Sequence, residues 1–348
     1  MHLSRLFAAL PFLGIIITLA ASDARADAAS DAAQDPPDPT RDSAIQTRRA
    51  LSASSTKLRA ALAADTRVAP LTKELLEAVK MTDRRQRAAK LQALGPRVLA
   101  IRSDALKKAA LDVKAVETQT SSIRTTSLIP PITQPAPAPG SLISSANVSS
   151  FPSPFTFKFD CPDSSDKHDF DGNQVKIWAQ STPVDKDCWK IRAGRMATVQ
   201  VPAGAKKIEV VFDGKVDLDV VAMSLGAYAK AVGDFGIKVR APSGAQLDTV
   251  NVPGQSQPQP VPVRWCRLKR IEATSAVVGP VPVATDGYAA DLQEGDANSK
   301  CTMTLPDNVG GTLELTPYTG GWVDADLSGV ATLNQLITIR KLKTTFYR

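Results

Sequence analysis

The hydrophobic period of this chain changes across one proline-rich stretch, and this change constrains the fold more than any other feature. Before the stretch, Leu91, Leu94, Val98 and Ile101 recur every three or four residues, which predicts an amphipathic helix. After it, apolar and polar residues alternate, as in the run 208–212, which predicts strands that bury one face. The sequence therefore predicts a helical part followed by an all-β part.

The helical part covers residues 41–118. It contains no aromatic residue, and its arginines and lysines outnumber its acids about two to one, so it accounts for most of the net charge of +7. Pro70 fits the first turn of one helix, whereas Gly95 and Pro96 predict a break or kink in another. The thin apolar faces are compatible with a helical hairpin, a small bundle or a coiled-coil stalk.

The rest of the chain divides at proline-rich stretches. Residues 119–150 are rich in Ser, Thr and Pro and predict an extended linker. Residues 151–348 predict an antiparallel β-sandwich region, with short strands separated by Gly, Pro and Asp turns. A second stretch, Pro253–Pro262, leaves two arrangements open, one sandwich with a long loop or two sandwiches formed by 151–252 and 263–348. We favour two.

The first 26 residues predict a secretory signal peptide. Arg5 precedes an apolar run from Leu6 to Ala21, and Ala24–Ala26 matches the small-residue pattern that signal peptidase accepts. The apolar run is shorter than the roughly 20 residues of a spanning helix. We therefore expect a periplasmic or secreted mature chain that begins with a disordered acidic leader, residues 27–40, and has no transmembrane segment.

All four cysteines lie in the β region, as Cys161, Cys188, Cys266 and Cys301. In an oxidising compartment such an even set predicts two disulfides, for which three connectivities are open. The shorter loops favour Cys161 with Cys188 and Cys266 with Cys301. Because no cysteines are spaced for a zinc knuckle and only His168 follows the signal peptide, the sequence argues against a zinc site.

Catalytic motifs are not recognisable in this sequence. The single mature histidine is not accompanied by a Gly-x-Ser-x-Gly elbow, and no phosphate-binding glycine-rich loop occurs. Two carboxylates far apart in a chain can still hydrolyse a glycoside. Asp217 and Asp219 are weak candidates, because they are close in sequence and lie on one face of a predicted strand, where a solvent-exposed role explains them equally well. We predict that the protein is not an enzyme, with an exported polysaccharide hydrolase as the alternative.

One acidic stretch suggests a cation. Asp169, Asp171 and Asn173 alternate, so in an extended loop their oxygens converge in a way that suits calcium. The match to an EF-hand loop fails, because Gln174 and Gln180 stand where that loop has glycine and a bidentate glutamate. We expect no cofactor, and these three residues remain a candidate calcium site against the alternative of a solvated turn.

The aromatic residues divide by strand parity. Trp265 shares a face with neighbouring valines and is predicted to lie in the core. Trp178 falls on the polar face of its strand, whereas Tyr318 and Trp322 lie close to a pair of glycines in a predicted exposed loop. Exposed rings offer a large contact area with little entropy to lose, so Trp178, Tyr318 and Trp322 predict a binding surface for a sugar or a protein.

Together these features predict an exported, non-enzymatic binding or structural protein. The basic helices would serve electrostatic attachment to an anionic surface or self-association, and the β region would recognise a surface partner such as an envelope glycan. A protein partner is also open, whereas nucleic acid is not expected outside the cytoplasmic membrane. The alternatives are the hydrolase and a subunit of an extracellular assembly whose strand edges pair with partners.

Overall fold

A computed structural model gives the fold of the chain. It describes residues 57–58, 60–79, 81, 83–109, 140–159, 166–181, 189–224, 228–250, 257–276, 283–325 and 329–348. Two helices, α1 (Val68–Val79) and α2 (Arg84–Lys108), form a hairpin, and residues 60–63 are also helical. Asp83 caps α2, because its carboxylate accepts a hydrogen bond from the backbone N–H of Gln86 at 2.9 Å.

Most of the remaining described residues lie in strands. In chain order the strands are β1 (Leu142–Val148), β2 (Ser153–Phe159), β3 (Asp166–Asp171), β4 (Gln174–Ser181), β5 (Trp189–Gln200), β6 (Lys207–Ser224), β7 (Tyr228–Arg240), β8 (Asp248–Val250), β9 (Gln259–Val261), β10 (Val263–Ala276), β11 (Val283–Leu292), β12 (Lys300–Thr304), β13 (Thr312–Ala325) and β14 (Gly329–Tyr347). Every described strand pair is antiparallel.

These strands form two main sheets. Sheet I has the order β11-β6-β14-β4-β3, with β12 beside the start of β6 and β1 beside the end of β14. Sheet II has the order β10-β7-β13-β5-β2, and β8 and β9 form a small ladder of their own. Strands that are consecutive in the chain thus often lie in opposite sheets, as β4 and β5 do.

The two sheets enclose one hydrophobic core. Phe212 of β6 and Phe235 of β7 meet in it edge to face, with 4.7 Å between their ring centroids. Strands from both sides of Pro253–Pro262 occur in each sheet, so the β region is a single sandwich. The prediction of two separate sandwiches is therefore wrong, because the proline-rich stretch interrupts the sequence but not the strand pairing.

The strands confirm the alternation predicted from the sequence. Ile208, Val210 and Phe212 of β6 are fully buried in the core, as are Ile237 and Val239 of β7. One strand was missed, because residues 142–148 of the predicted linker form β1. Its pairing with the last residues of β14 extends to Arg348, whose N–H donates to the carbonyl of Ser141 at 3.0 Å.

The helices pack on the sandwich through a second apolar cluster. Its described members are Leu58, Leu62, Leu71, Leu75, Ala78, Leu91, Leu94, Val98, Ile101, Ala105, Leu106 and Ala109 from the helical part and Val221, Met223, Val232, Trp322 and Val330 from the strands. α2 runs through Pro96 without the predicted break. A proline inside a helix costs roughly 3 kcal/mol, and burial of the apolar residues on both sides of it offsets this cost.

Ion pairs fix the helical hairpin and attach it to sheet I. Arg97 of α2 donates two hydrogen bonds, of 2.6 and 2.8 Å, to Glu74 of α1. Arg87 of α2 lies 2.5 Å from the carboxylate of Asp219 in β6, and both side chains are buried. The helices α1 and α2 are therefore not a free arm. Neither α1 nor α2 has the length and apolar composition needed to cross a membrane, and the same holds for every other helical residue described.

Candidate functional site

The outer face of sheet II combines aromatic and charged side chains. Phe235 and Ile237 of β7 point into the core, so Asp234 and Lys238 point outward. The strand register places five aromatic or basic residues of the four other strands of sheet II on the same side. We call this set the sheet II face, and its members are Phe155, Arg192, Asp234, Lys238, Trp265, Arg267 and Tyr318.

Lys238 lies against two aromatic rings at the centre of this face. Its ammonium nitrogen is 4.1 Å from the ring centroid of Phe155 and 5.1 Å from that of Trp265, both cation–π distances. The pKa of Lys238 is lowered to about 8, chiefly by burial and in part by the neighbouring Arg240, while Glu314 opposes the change. The amine is therefore a desolvated cation whose main described neighbours are rings.

A third ring, that of Tyr318, lies deeper in the face than Phe155 and Trp265. Trp265 meets Tyr318 edge to face, with ring centroids 4.9 Å apart, and Phe155 lies 6.3 Å from Trp265. Phe155 and Trp265 are half-buried, whereas Tyr318 is fully buried. Desolvation raises the pKa of the Tyr318 hydroxyl. Within the described residues, neither the Tyr318 hydroxyl nor the indole N–H of Trp265 has a hydrogen-bond partner.

A glycine makes room for Tyr318. A Cβ atom on Gly236 would lie 2.9 Å from the Tyr318 hydroxyl oxygen and 2.1 Å from the carbonyl oxygen of Cys266. No side chain larger than hydrogen fits there, so the phenol ring can lie against the bare backbone of β7. This arrangement holds Tyr318 beneath Trp265 and leaves Trp265 nearer the surface.

The sheet II face carries more positively charged than negatively charged groups. Asp234 is fully buried and accepts hydrogen bonds from Arg192 and from Arg267, the latter at 3.3 Å. Lys238 adds a further cation, so three basic groups accompany one carboxylate. Arg267 is the most exposed of the three. The face therefore carries an excess of positive charge.

Two of the predicted binding residues are not exposed. Tyr318 and Trp322 are 0% and 1% exposed, so their predicted place in an exposed loop is wrong. The two glycines near them lie inside β13 and continue the strand. Trp322 packs with Val232 in the helical cluster, and the ammonium of Lys230 lies 5.7 Å from its ring centroid.

Trp178 lies elsewhere. It is half-buried on the outer face of sheet I, because its neighbours Val175 and Ile177 point into the core. Trp178, Tyr318 and Trp322 therefore do not share a surface, and the predicted three-residue binding surface is not formed. Trp265, predicted to be in the core, lies instead on the outer face of sheet II.

The acidic stretch forms a β-hairpin. Asp169 and Asp171 are exposed residues of β3, and Gly172, with φ +54°, starts the turn into β4. The side-chain amide of Asn173 donates to the carbonyl of Ser149 at 3.1 Å. In the described part of the chain, no three His, Cys, Asp or Glu residues are grouped so that they could hold a metal ion. The geometry of these residues matches a tight hairpin turn.

The structure also places the cysteines and the candidate catalytic acids. Cys266 and Cys301 form the predicted disulfide, whereas Cys161 and Cys188 lie outside the described residues. Asp217 is exposed on sheet I. Asp219 lies beneath α2 in its ion pair with Arg87, a position that does not suit an acid that must reach a polysaccharide.

Comparison with known proteins does not identify a family for this chain. No family model matches the chain, and neither does any curated protein. Carbohydrate-binding modules of the β-sandwich superfamily match with 12% identity over 57% of this chain and 56% of theirs, at a TM-score of 0.18. The cleaved adhesin domain of Lys-gingipain from Porphyromonas gingivalis matches with 11% identity over 55% of this chain and 97% of its own, also at 0.18.

A family 11 carbohydrate-binding module from Clostridium thermocellum matches with 11% identity over 54% of this chain and 99% of its own, at a TM-score of 0.13. The chain spans just over half the length of the first of these proteins. At such low TM-scores, neither the fold nor the ligands of these proteins transfer to this chain.

Proposed function

We propose that this chain is an exported, non-enzymatic binding protein whose β-sandwich binds an acidic glycan at the sheet II face. The observation that carries the proposal is the position of the Lys238 ammonium against the half-buried rings of Phe155 and Trp265. Aromatic rings accept the apolar C–H faces of a sugar ring, and a desolvated cation attracts a sugar carboxylate. Both interactions are available at one place.

The charge of the face supports an acidic rather than a neutral glycan. The guanidinium of Arg267 is partly exposed beside these rings, and its planar fork suits a carboxylate. Asp234, the carboxylate of the set, is buried against two arginines and so does not repel an anion at the surface. A neutral sugar would leave this excess of positive charge unused.

The expected compartment, the periplasm or the cell exterior, is compatible with a surface glycan as the partner. The disulfide between Cys266 and Cys301 needs an oxidising environment, and the predicted signal peptide supplies a route to one. The expected location is therefore the periplasm or the cell exterior. Glycans with uronic acids are chemically suitable partners in either place.

The test is calorimetric titration of the full chain, secreted through a bacterial periplasm so that its disulfide forms. The probes are oligogalacturonate as the acidic glycan, a neutral β-glucan oligosaccharide and vesicles of anionic phospholipid. We expect binding of oligogalacturonate alone. Trp265→Ala should weaken it by about tenfold or more, as is typical of a central aromatic contact.

Trp178→Ala is the matched control, because Trp178 is also half-buried but lies on the other sheet. It should leave binding unchanged. If Trp178→Ala abolishes binding and a thermally stable Trp265→Ala variant does not, the proposed face is wrong. Equal affinity for the neutral glucan would contradict the acidic specificity, and binding of vesicles alone would replace the glycan with a lipid surface. Release of reducing ends from the glycan would show a hydrolase instead.

A further inference from the structure

The open edge of β1 is the feature of the fold that the glycan site does not explain. One side of β1 pairs with Leu342–Tyr347 of β14, and the described part of the chain places no strand on its other side. The side chains of β1 are exposed except for Ile143 and Val148, and Leu142 is 64% exposed. Such an edge offers unpaired backbone N–H and C=O groups to another strand.

The other sheet margins are protected. Natural sheets protect their edge strands with charged side chains or proline, which oppose pairing with another chain. In the described strands, every margin except β1 carries such residues. They include Asp169 and Asp171 in β3, Asp286 and Asp291 in β11, Lys300 in β12, Arg264 and Lys269 in β10, and Pro154 and Lys158 in β2. The seven residues of β1 contain neither a charge nor a proline.

Side-chain hydrogen bonds also fix the position of β1 beside β14. The Ser145 hydroxyl lies 3.3 Å from that of Thr345, and the Thr344 hydroxyl donates to the carbonyl of Ala146 at 3.3 Å. Residues of an antiparallel strand alternate in the side to which their backbone groups point. Since the carbonyl of Ala146 points to β14, the N–H and C=O groups of Ser145 and Asn147 point to the open edge.

We propose that β1 pairs antiparallel with β1 of a second copy of this chain, so that sheet I continues across a two-fold axis. An uncharged strand can face its own copy without like-charge repulsion, whereas self-pairing of the other margins would oppose aspartates or basic residues. A two-fold contact uses one edge of each copy and therefore closes as a dimer. The protected margins prevent further growth.

The experiment is sedimentation of the full secreted chain over a wide concentration range. We expect the wild type to approach the mass of a dimer as its concentration rises. Ser145→Lys and Ser145→Glu, at the centre of β1, should each remain monomeric because the introduced charges repel their copies. An equimolar mixture of the two variants should form a heterodimer, which shows that neither substitution prevents folding.

Thr285→Lys on the margin of β11 is the matched control and should leave the dimer intact. A wild type that stays monomeric at every concentration overturns the proposal, as does a Ser145→Lys variant that dimerises like the wild type. Hydrogen exchange gives an independent readout, since the amides of Ser145 and Asn147 should exchange more slowly in the dimer. Unchanged exchange at these amides in a dimer would place the interface elsewhere and also reject β1.

Discussion

Cys266 of β10 and Cys301 of β12 form a disulfide that joins sheet II to sheet I, with 5.8 Å between their Cα atoms. The bond closes a loop of 35 residues that includes β11. Because such a loop restricts the unfolded chain, replacing both residues by alanine should lower the free energy of unfolding by up to about 4 kcal/mol. Urea unfolding of the full chain measures this loss, and a change below about 1 kcal/mol would show that the bond adds little to the core.

The second predicted disulfide follows from the pairing of β2 with β5. Phe159 lies opposite Lys190 in this ladder. Cys161 is two residues beyond Phe159, and Cys188 is two residues before Lys190, so the same antiparallel register, if continued, would bring the two cysteines opposite each other. We expect peptide mapping of the unreduced, secreted chain to recover Cys161 linked to Cys188. Recovery of either cysteine linked to Cys266 or as a free thiol would contradict this pairing.

The contact between Arg87 and Asp219 should dominate the attachment of the helices. Both side chains are buried, so Arg87→Met removes a cation that lies 2.5 Å from a buried carboxylate and should cost roughly 3 kcal/mol of stability. Adding Asp219→Asn should recover part of this loss. Arg97→Met is the control, because its partner Glu74 is near the surface and such pairs contribute at most about 1 kcal/mol. If urea unfolding gave equal losses of unfolding free energy for Arg87→Met and Arg97→Met, the buried ion pair would not contribute more than the surface pair, and the prediction would be wrong.

Lys238 should make stability depend on pH in the alkaline range. Its pKa is about 8 in the folded chain against 10.5 for an ordinary lysine, so between these values the unfolded chain binds the extra proton. The contribution of Lys238 to the free energy of unfolding is therefore lowest below pH 8. It rises by up to about 3 kcal/mol as the pH increases to about 10.5. The neighbouring rings favour the charged amine and reduce this figure.

The measurement is the urea midpoint of the wild type and of Lys238→Met across this pH range. The variant should be the more stable protein below pH 8, and its advantage should vanish as pH rises. Lys343→Met is the control with the opposite sign, because Glu294 raises the pKa of Lys343 and its contribution is lost at high pH. A constant difference between wild type and Lys238→Met would show that Lys238 titrates normally.

Much of the sandwich was predictable from alternation, because apolar residues such as Ile208 and Val210 repeat with the period of a strand. Alternation shows which residues share a face, but it does not show which face is inside when both carry large side chains. β13 is such a strand, since Leu315 faces the core and Tyr318 and Trp322 are buried on the other side.

The sheet II face was missed for related reasons. Gly236 gives no signal in a hydrophobic pattern, although its lack of a side chain admits Tyr318. One sequence signal for Trp265 did exist. If Cys266 is taken to reach Cys301 in the opposite sheet, it must point inward, and Trp265 beside it must point outward. β1 was missed because its small polar residues resemble a linker, and only its pairing with distant β14 makes it a strand.

The position of β14 affects how the chain folds. β14 follows every other described strand in chain order, yet it lies between β6 and β4 in the interior of sheet I. Sheet I therefore cannot close before β14 has been synthesised, and long-range pairings of this kind form slowly. The position of β14 also means that loss of this strand would split sheet I rather than trim its margin.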